Sequence, residues 1–334
     1  MRFLSAFVLS ILPFSALAGN ALKGRRHSKI GQNLRSRNNN GTIYTVKDFY
    51  ASHCFLDQWN FHVGADPTHG NVNFLSKEEA IAKKLATVQP DGTVVLAVDD
   101  YSSIPEGGKR NSVRIQTKKS YNHGLFIADF LAMPHGCSVW PAYWSLGPTW
   151  PDAGEIDILE GVHEQPVNQY TLHSSASAGC TLSTDGMDIM TSVIHDICDS
   201  TPEDNRGCGF LDSDTRSYGK GFNAAGGGVL AHLWDDNGIK MWHFAREMVP
   251  ADITAKTPNP ASWGKPVAFW SSKTCDIASH FYNHTLVLDT TICGDWAGPS
   301  YANSGCPGTC AQAVANATNY QNAKWKINYI AVYE

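Results

Sequence analysis

The sequence predicts an all-β protein, a sandwich or jelly roll of two antiparallel sheets, from three observations. Short segments rich in β-branched and aromatic residues recur along the chain, Gly-rich turns separate them, and only one stretch carries helix signals. Residues 93–98 (TVVLAV) form such a segment, preceded by the turn Pro90-Asp91-Gly92. Residues 239–244 alternate and follow Asp235-Asp236-Asn237-Gly238, a strong hairpin signal. Residues 285–291 and 323–333 read the same way. The one expected helix covers residues 76–86, where Ser76 and Glu79 have the spacing of a capping box. Neither an internal repeat nor a Pro/Ser-rich linker interrupts the pattern, so a single domain over residues 43–334 is expected.

Composition excludes several classes. Of 334 residues, 17% are charged and 43% hydrophobic, with 10 Trp, 12 Tyr and 29 Gly. That is too few charges and too many aromatics for a disordered chain or a coiled coil. A chain of this length buries about three quarters of its unfolded surface, enough for a large core.

The N-terminus predicts secretion. Arg2 precedes a largely apolar run over residues 3–17, and Ala16-Leu17-Ala18 offers a small-x-small cleavage site before Gly19. The run is shorter than the roughly 20 residues of a membrane span, and Pro13 interrupts it. Residues 1–18 are therefore read as a cleaved leader, and the protein as extracellular with no membrane partner. Residues 19–42 form a basic arm, a propeptide or disordered tail, carrying Lys23, Arg25, Arg26, Lys29, Arg35 and Arg37 and no acid. With those six and Arg2 set aside, 19 basic residues face 31 acidic ones, a net charge of −12 on the body. An acidic, secreted body argues against nucleic acid as a partner.

Nine cysteines, all beyond the leader, are expected to pair in an oxidising compartment and leave one over. Zinc is not expected, because Cys306 and Cys310 have no second close pair to complete a tetrahedral site. Sequons at Asn40, Asn283 and Asn316 fit the secretory route.

The chemistry concentrates in Gly154-Glu155-Ile156-Asp157-Ile158-Leu159-Glu160. The Ile-x-Ile alternation marks a strand, with Glu155 and Asp157 on one face and Ile156 and Ile158 on the other. Glu160 has the wrong parity, and one β-bulge between Asp157 and Glu160 restores it. Two glutamates about four strand steps apart can lean together as nucleophile and general acid/base of a retaining glycosidase. Asp157 between them would keep a proton or share hydrogen bonds, raising the pKa of the acid. A solvated acidic face or a calcium site is the competing reading. Nearby Trp140, Trp144 and Trp150 suit the apolar faces of sugar rings, although Trp140, beside Cys137, is assigned to the core.

Met133-Pro-His-Gly-Cys-Ser-Val-Trp-Pro-Ala-Tyr-Trp144, followed by Gly154-Glu-Ile-Asp-Ile-Leu-Glu160-Gly-Val, resembles glycoside hydrolase family 16, and most closely its fungal, basidiomycete-type laminarinase branch. Tyr170-Thr-Leu-His-Ser174, Gly238-Ile-Lys-Met-Trp242, Pro258-Asn-Pro-Ala-Ser-Trp-Gly264 and Cys293-Gly-Asp-Trp-Ala-Gly298 extend the resemblance over nearly all of the body. It implies a concanavalin A-like β-jelly roll with a glucan cleft on its concave face, and hydrolysis with retention. Glu155 would be the nucleophile, Glu160 the acid/base and Asp157 the helper. The two-residue spacing before the second glutamate is that of laminarinase-type members and favours β-1,3 linkages. Arg114, Trp144, Trp150 and His173 match positions lining donor-side subsites, with Trp296 a further candidate. Residues 145–149 fall where relatives vary in length, so subsite preferences do not transfer in detail.

The leading expectation is an extracellular, monomeric endo-1,3(4)-β-glucanase acting on laminarin, lichenan or cell-wall glucan. It needs no cofactor or metal, because two carboxylates and water suffice. A transglycosylase on the same residues is the alternative. A non-catalytic glucan-binding lectin, the alternative of another class, has no need of both glutamates.

Overall fold

A computed structural model describes residues 35–37, 43–184, 189 and 191–334. Two nine-stranded sheets account for most of it. The expected leader and most of the expected basic arm lie outside the described residues; Arg35–Arg37 pairs antiparallel with residues 43–45.

The first sheet has Lys324–Tyr333 at its centre, flanked by Ile43–Ala51 and Gly124–Ala132 and continued by Gly228–Asp235, Gly238–Ala245 and Ala268–Ser271. The second runs Ser192–His195, Cys208–Leu211, Gln169–Ser175, Glu155–Glu160, Val139–Leu146, Thr285–Ile292, Arg114–Thr117 and Trp59–Phe61. Neighbours along both paths are antiparallel, as the sandwich reading requires. The expected hairpin is present, with Asp235 opposite Gly238 across a two-residue turn. The expected helix is shorter than its sequence signal, Lys77–Ala82, and Ser76 and Glu79 close both halves of the capping box.

Alternation places Phe126, Phe130, Tyr143, Ile156, Leu172, Leu288, Trp325 and Ile330 in one core between the sheets. A second apolar cluster, including Ile127, Trp242, Ile253, Trp263 and Ala331, lies on the other side of the first sheet. The second sheet therefore has its outer face free for function.

Four disulfides join Cys137–Cys306, Cys180–Cys275, Cys198–Cys208 and Cys293–Cys310, and Cys54 is the exposed free thiol that the odd count required. Asn283 and Asn316 are exposed, while Asn40 lies outside the described residues. Among the described residues no helix is long and apolar enough to cross a membrane.

Candidate active site

The strand Glu155–Glu160 carries the bulge that its parity demanded. Asp157 pairs with Thr171 and Glu160 with Gln169, so Ile158 and Leu159 together oppose Tyr170. On the other side Trp144 pairs with Asp157, and Tyr143 with Leu159. Both extra apolar side chains sink into the core, which is what makes the irregularity stable. The consequence is that Glu155, Asp157 and Glu160 share the outer face.

Cross-strand register orders that face into rungs. Arg114, Asp289, Ala142, Glu160 and Gln169 follow one another across five strands. The next rung is Gln116, Val287, Trp144, Asp157 and Thr171, and the third holds Thr285, Leu146, Glu155 and His173. A further pair, Trp140 and Thr291, lies beyond Ala142. Every site residue anticipated from the sequence belongs to this face or borders it.

Each glutamate is held by an indole. Trp150 Nε1 donates to Glu155 Oε2, and Trp140 Nε1 donates to Glu160 Oε1 at 2.9 Å. The assignment of Trp140 to the core is thus corrected. Residues 140, 142 and 144 share one strand face, and Trp140 is half-buried in the site with its ring against Trp296, centroids 5.7 Å apart. Its neighbour Cys137 precedes the strand, and Ser138 breaks the path with φ 74°, so the cysteine says nothing about which way Trp140 points.

Trp150 is 45% exposed on the loop of residues 147–154. Gly147 N–H donates to Gly154 O, closing the loop. Gly154 has φ 77°, and a Cβ there would lie 2.4 Å from the Phe281 ring, so only glycine fits immediately before Glu155. Beneath the loop, His284 Nε2 bonds Ala153 O at 2.8 Å while its Nδ1 meets Ser145 Oγ at 2.9 Å.

Asp157 is buried, and neither of its oxygens meets an N–H or hydroxyl donor. Glu155 lies beside it on the same strand face, and two buried carboxyls so placed cannot both ionise cheaply, which favours a proton on one of the two. Burial, with repulsion from Glu160, holds the Asp157 pKa well above the ordinary carboxylate value. His173 Nε2 stands 3.4 Å from Asp157 Oδ2, and Ser200 Oγ orients its Nδ1 at 3.0 Å. Burial also raises Glu155 to about 8, with Asp157 repulsion adding to it, and Glu160 to about 7. A site of three such carboxyls is protonated in part at neutral pH. The resting order of the two glutamates does not itself separate nucleophile from acid.

Sequence reasoning missed Asp289. It lies in the Glu160 rung, takes Arg114 Nη1 at 3.0 Å on Oδ2, and is raised by burial to about 7. Arg114 in turn sits 5.0 Å from the Trp144 ring centroid. The available signal was an acid inside the apolar strand Leu286-Val-Leu-Asp289, since a buried unpaired acid is rarely tolerated. As to metals, Glu155, Asp157 and His173 offer ligand atoms within 4.8 Å of one another, a set made of the same groups the carboxylate chemistry employs.

A family model described as XgeA-like, catalytic GH16 domain matches residues 59–333. An endo-1,3(4)-beta-glucanase of Arthroderma benhamiae is 39% identical over 302 residues, 87% of this chain and 65% of that protein. The chain thus spans less than two thirds of that relative's length. Among solved structures, GH16 laminarinase 16A from Phanerochaete chrysosporium, holding 6-O-glucosyl-laminaritriose in donor and acceptor sites, is 38% identical. Its TM-score is 0.83 over 87% of this chain and 99% of that one. An elongating GH family 16 beta-1,3-glucosyltransferase is equally identical at 38%, with a TM-score of 0.81 over 87% of this chain and 100% of that one. By family match, identity and fold, the chain belongs to glycoside hydrolase family 16.

Proposed function

We propose that the protein is a secreted, retaining endo-β-1,3(4)-glucanase in which Glu155 is the nucleophile, Glu160 the general acid/base and Asp157 the helper. The observation that carries the reading is the bulge at Ile158 and Leu159, which sets three carboxyls of one strand on a tryptophan-bordered face. In the first step a Glu155 oxygen attacks the anomeric carbon while Glu160 protonates the departing glycosidic oxygen, leaving a glycosyl ester on Glu155. In the second, the Glu160 carboxylate takes a proton from water, the hydroxyl adds to the anomeric carbon, and Glu155 is released. A neutral Asp157 donates to Glu155 and spares that carboxylate a buried negative neighbour. Trp144, Trp150 and Trp296 supply flat faces for glucose rings, and Arg114 and His173 supply polar contacts beside them. The role order follows the motif, and the substrate class follows the activities for which the relatives are named. The N-terminal leader supports secretion.

The test is incubation with laminarin, lichenan and carboxymethyl-cellulose, following reducing ends, product sizes and product anomer, with Glu155→Ala as control. Release from the first two with retained configuration, abolished in the variant, is expected. No release from any of them, with laminarin still bound, would leave a lectin. A second reading has its own support: the glucosyltransferase of similar structure shows that relatives can pass the glycosyl group to a sugar. Redistribution of chain lengths at constant reducing ends would identify that outcome.

A further inference from the structure

An open groove of about 630 Å³ lies on the first sheet, on the side facing away from the shared core and so on the opposite side of the sandwich from the carboxylates. Its floor is a fixed polar unit. Asp129 Oδ1 accepts from Arg246 Nη2 at 2.7 Å, and Oδ2 accepts from Asn328 Nδ2 at 3.0 Å. Its wall is aromatic: Phe49 and Tyr329, from paired strands, lie with ring planes 17° apart and centroids 5.2 Å apart. Phe49 is 42% exposed. Lys256 reaches over both rings, its Nζ 2.9 Å from the Tyr329 centroid and 5.3 Å from that of Phe49. That lysine follows the helix Ala251–Thr254 with φ 60°, a position where glycine is the ordinary residue. A side chain is retained there at a conformational cost, and it points onto the aromatic pair.

One exposed phenyl ring is unremarkable by itself. Here it adjoins donors and acceptors whose positions are already fixed, Arg246 against Asp129, while Lys256 and Asp91 bring one further charge of each sign to the same groove. An anion finds Arg246 neutralised, and a lipid finds a charged floor. The combination fits a neutral ligand with one apolar face and a rim of hydroxyls, which is the chemistry of a pyranose ring. We propose that this groove is a second, non-catalytic glucan-binding site, an inference that rests on the glucan reading of the carboxylate face. The two sites point to opposite sides, so they engage different chains or distant stretches of one polymer. Engagement at the groove raises the local concentration of insoluble glucan at the catalytic face.

Phe49→Ala and Lys256→Gly test the groove without touching the catalytic face, and the glycine suits the backbone it enters. Adsorption to insoluble β-1,3-glucan particles and turnover of a soluble laminari-oligosaccharide are measured side by side. Both variants are expected to keep soluble turnover within about twofold of wild type, while Phe49→Ala weakens adsorption about three- to tenfold, the scale of one lost aromatic contact, and Lys256→Gly weakens it by less, through loss of the ammonium donor beside the rings. Unchanged adsorption in both variants overturns the proposal. So does a loss of adsorption matched by an equal loss of soluble turnover, because that places the defect in the fold or the catalytic face. Failure of the glucanase reading itself is distinct: wild type would then leave the soluble oligosaccharide intact, whatever its adsorption.

Discussion

Trp140 Nε1 lies 2.9 Å from Glu160 Oε1 and donates its hydrogen bond from the neighbouring strand. That bond favours the ionised carboxylate, against the burial that raises Glu160 to about 7. Trp140→Phe removes the donor and keeps an aromatic ring. The Glu160 pKa then rises, the acid stays protonated to higher pH, and the alkaline limb of kcat/KM moves upward. A loss of about tenfold in kcat is expected from the missing bond to a charged group. A pH profile of both enzymes checks it, and a downward move of the alkaline limb would contradict it.

Glu155 is a stability cost that the site bears. Its folded-state pKa of about 8 exceeds its ordinary value near 4.5, so the folded state binds a proton that the unfolded chain releases. Stability contributed by that proton is full below pH 4.5 and is lost as pH rises toward 8. Glu155→Gln, which cannot ionise, should therefore gain little at pH 4.5 and about 1–3 kcal/mol at pH 8, after discounting for partial exposure. Thermal melting at the two pH values reads the difference as roughly 2–6 °C.

Two buried histidines give the opposite slope. Burial lowers His232 to about 3 and His284 to about 4, so both fold neutral. Between pH 6.5 and pH 4 the unfolded chain takes up protons that the folded one refuses, and stability falls with pH by about 2–4 kcal/mol for each. His232 stacks on Phe126 with centroids 4.3 Å apart, and repulsion from His284 adds to the burial that keeps it neutral. His232→Gln should flatten the pH dependence of the urea midpoint over that window. An unchanged slope would show that other groups carry the acid sensitivity.

The disulfide Cys293–Cys310 anchors the start of the helix Gly294–Ser300, which presents Trp296 to Trp140. Its partners are 17 residues apart, and opening a loop of that size costs about 3 kcal/mol. The double variant Cys293→Ser/Cys310→Ser should melt lower and raise KM severalfold through loss of the Trp296 face, with a smaller change in kcat. Equal changes in kcat and kcat/KM would place Trp296 in transition-state binding instead.

Much of the site was legible because its information is local. The strand, its two faces and the need for a bulge all follow from six residues, Glu155–Glu160, since side-chain direction in a strand has period two. The Ser76–Glu79 cap and the Asp235–Gly238 hairpin were legible for the same reason. Trp140 was misread because a nearby cysteine was given more weight than parity with Trp144. Asp289 was missed because its role depends on strand order: 129 positions separate it from Glu160 in sequence, yet only Ala142 stands between them across the sheet.

The sequence by itself determined the class of fold, the carboxylate strand and the count of one unpaired cysteine, all set by local periodicity or by simple number. Tertiary structure alone decided which cysteine is free, which indole serves which glutamate, how Arg114 is held by Asp289, and that a second groove exists on the far sheet. Those outcomes depend on pairing between strands distant in the chain. Pairing is chosen by burial of the whole core, a sum over the molecule that no single segment encodes.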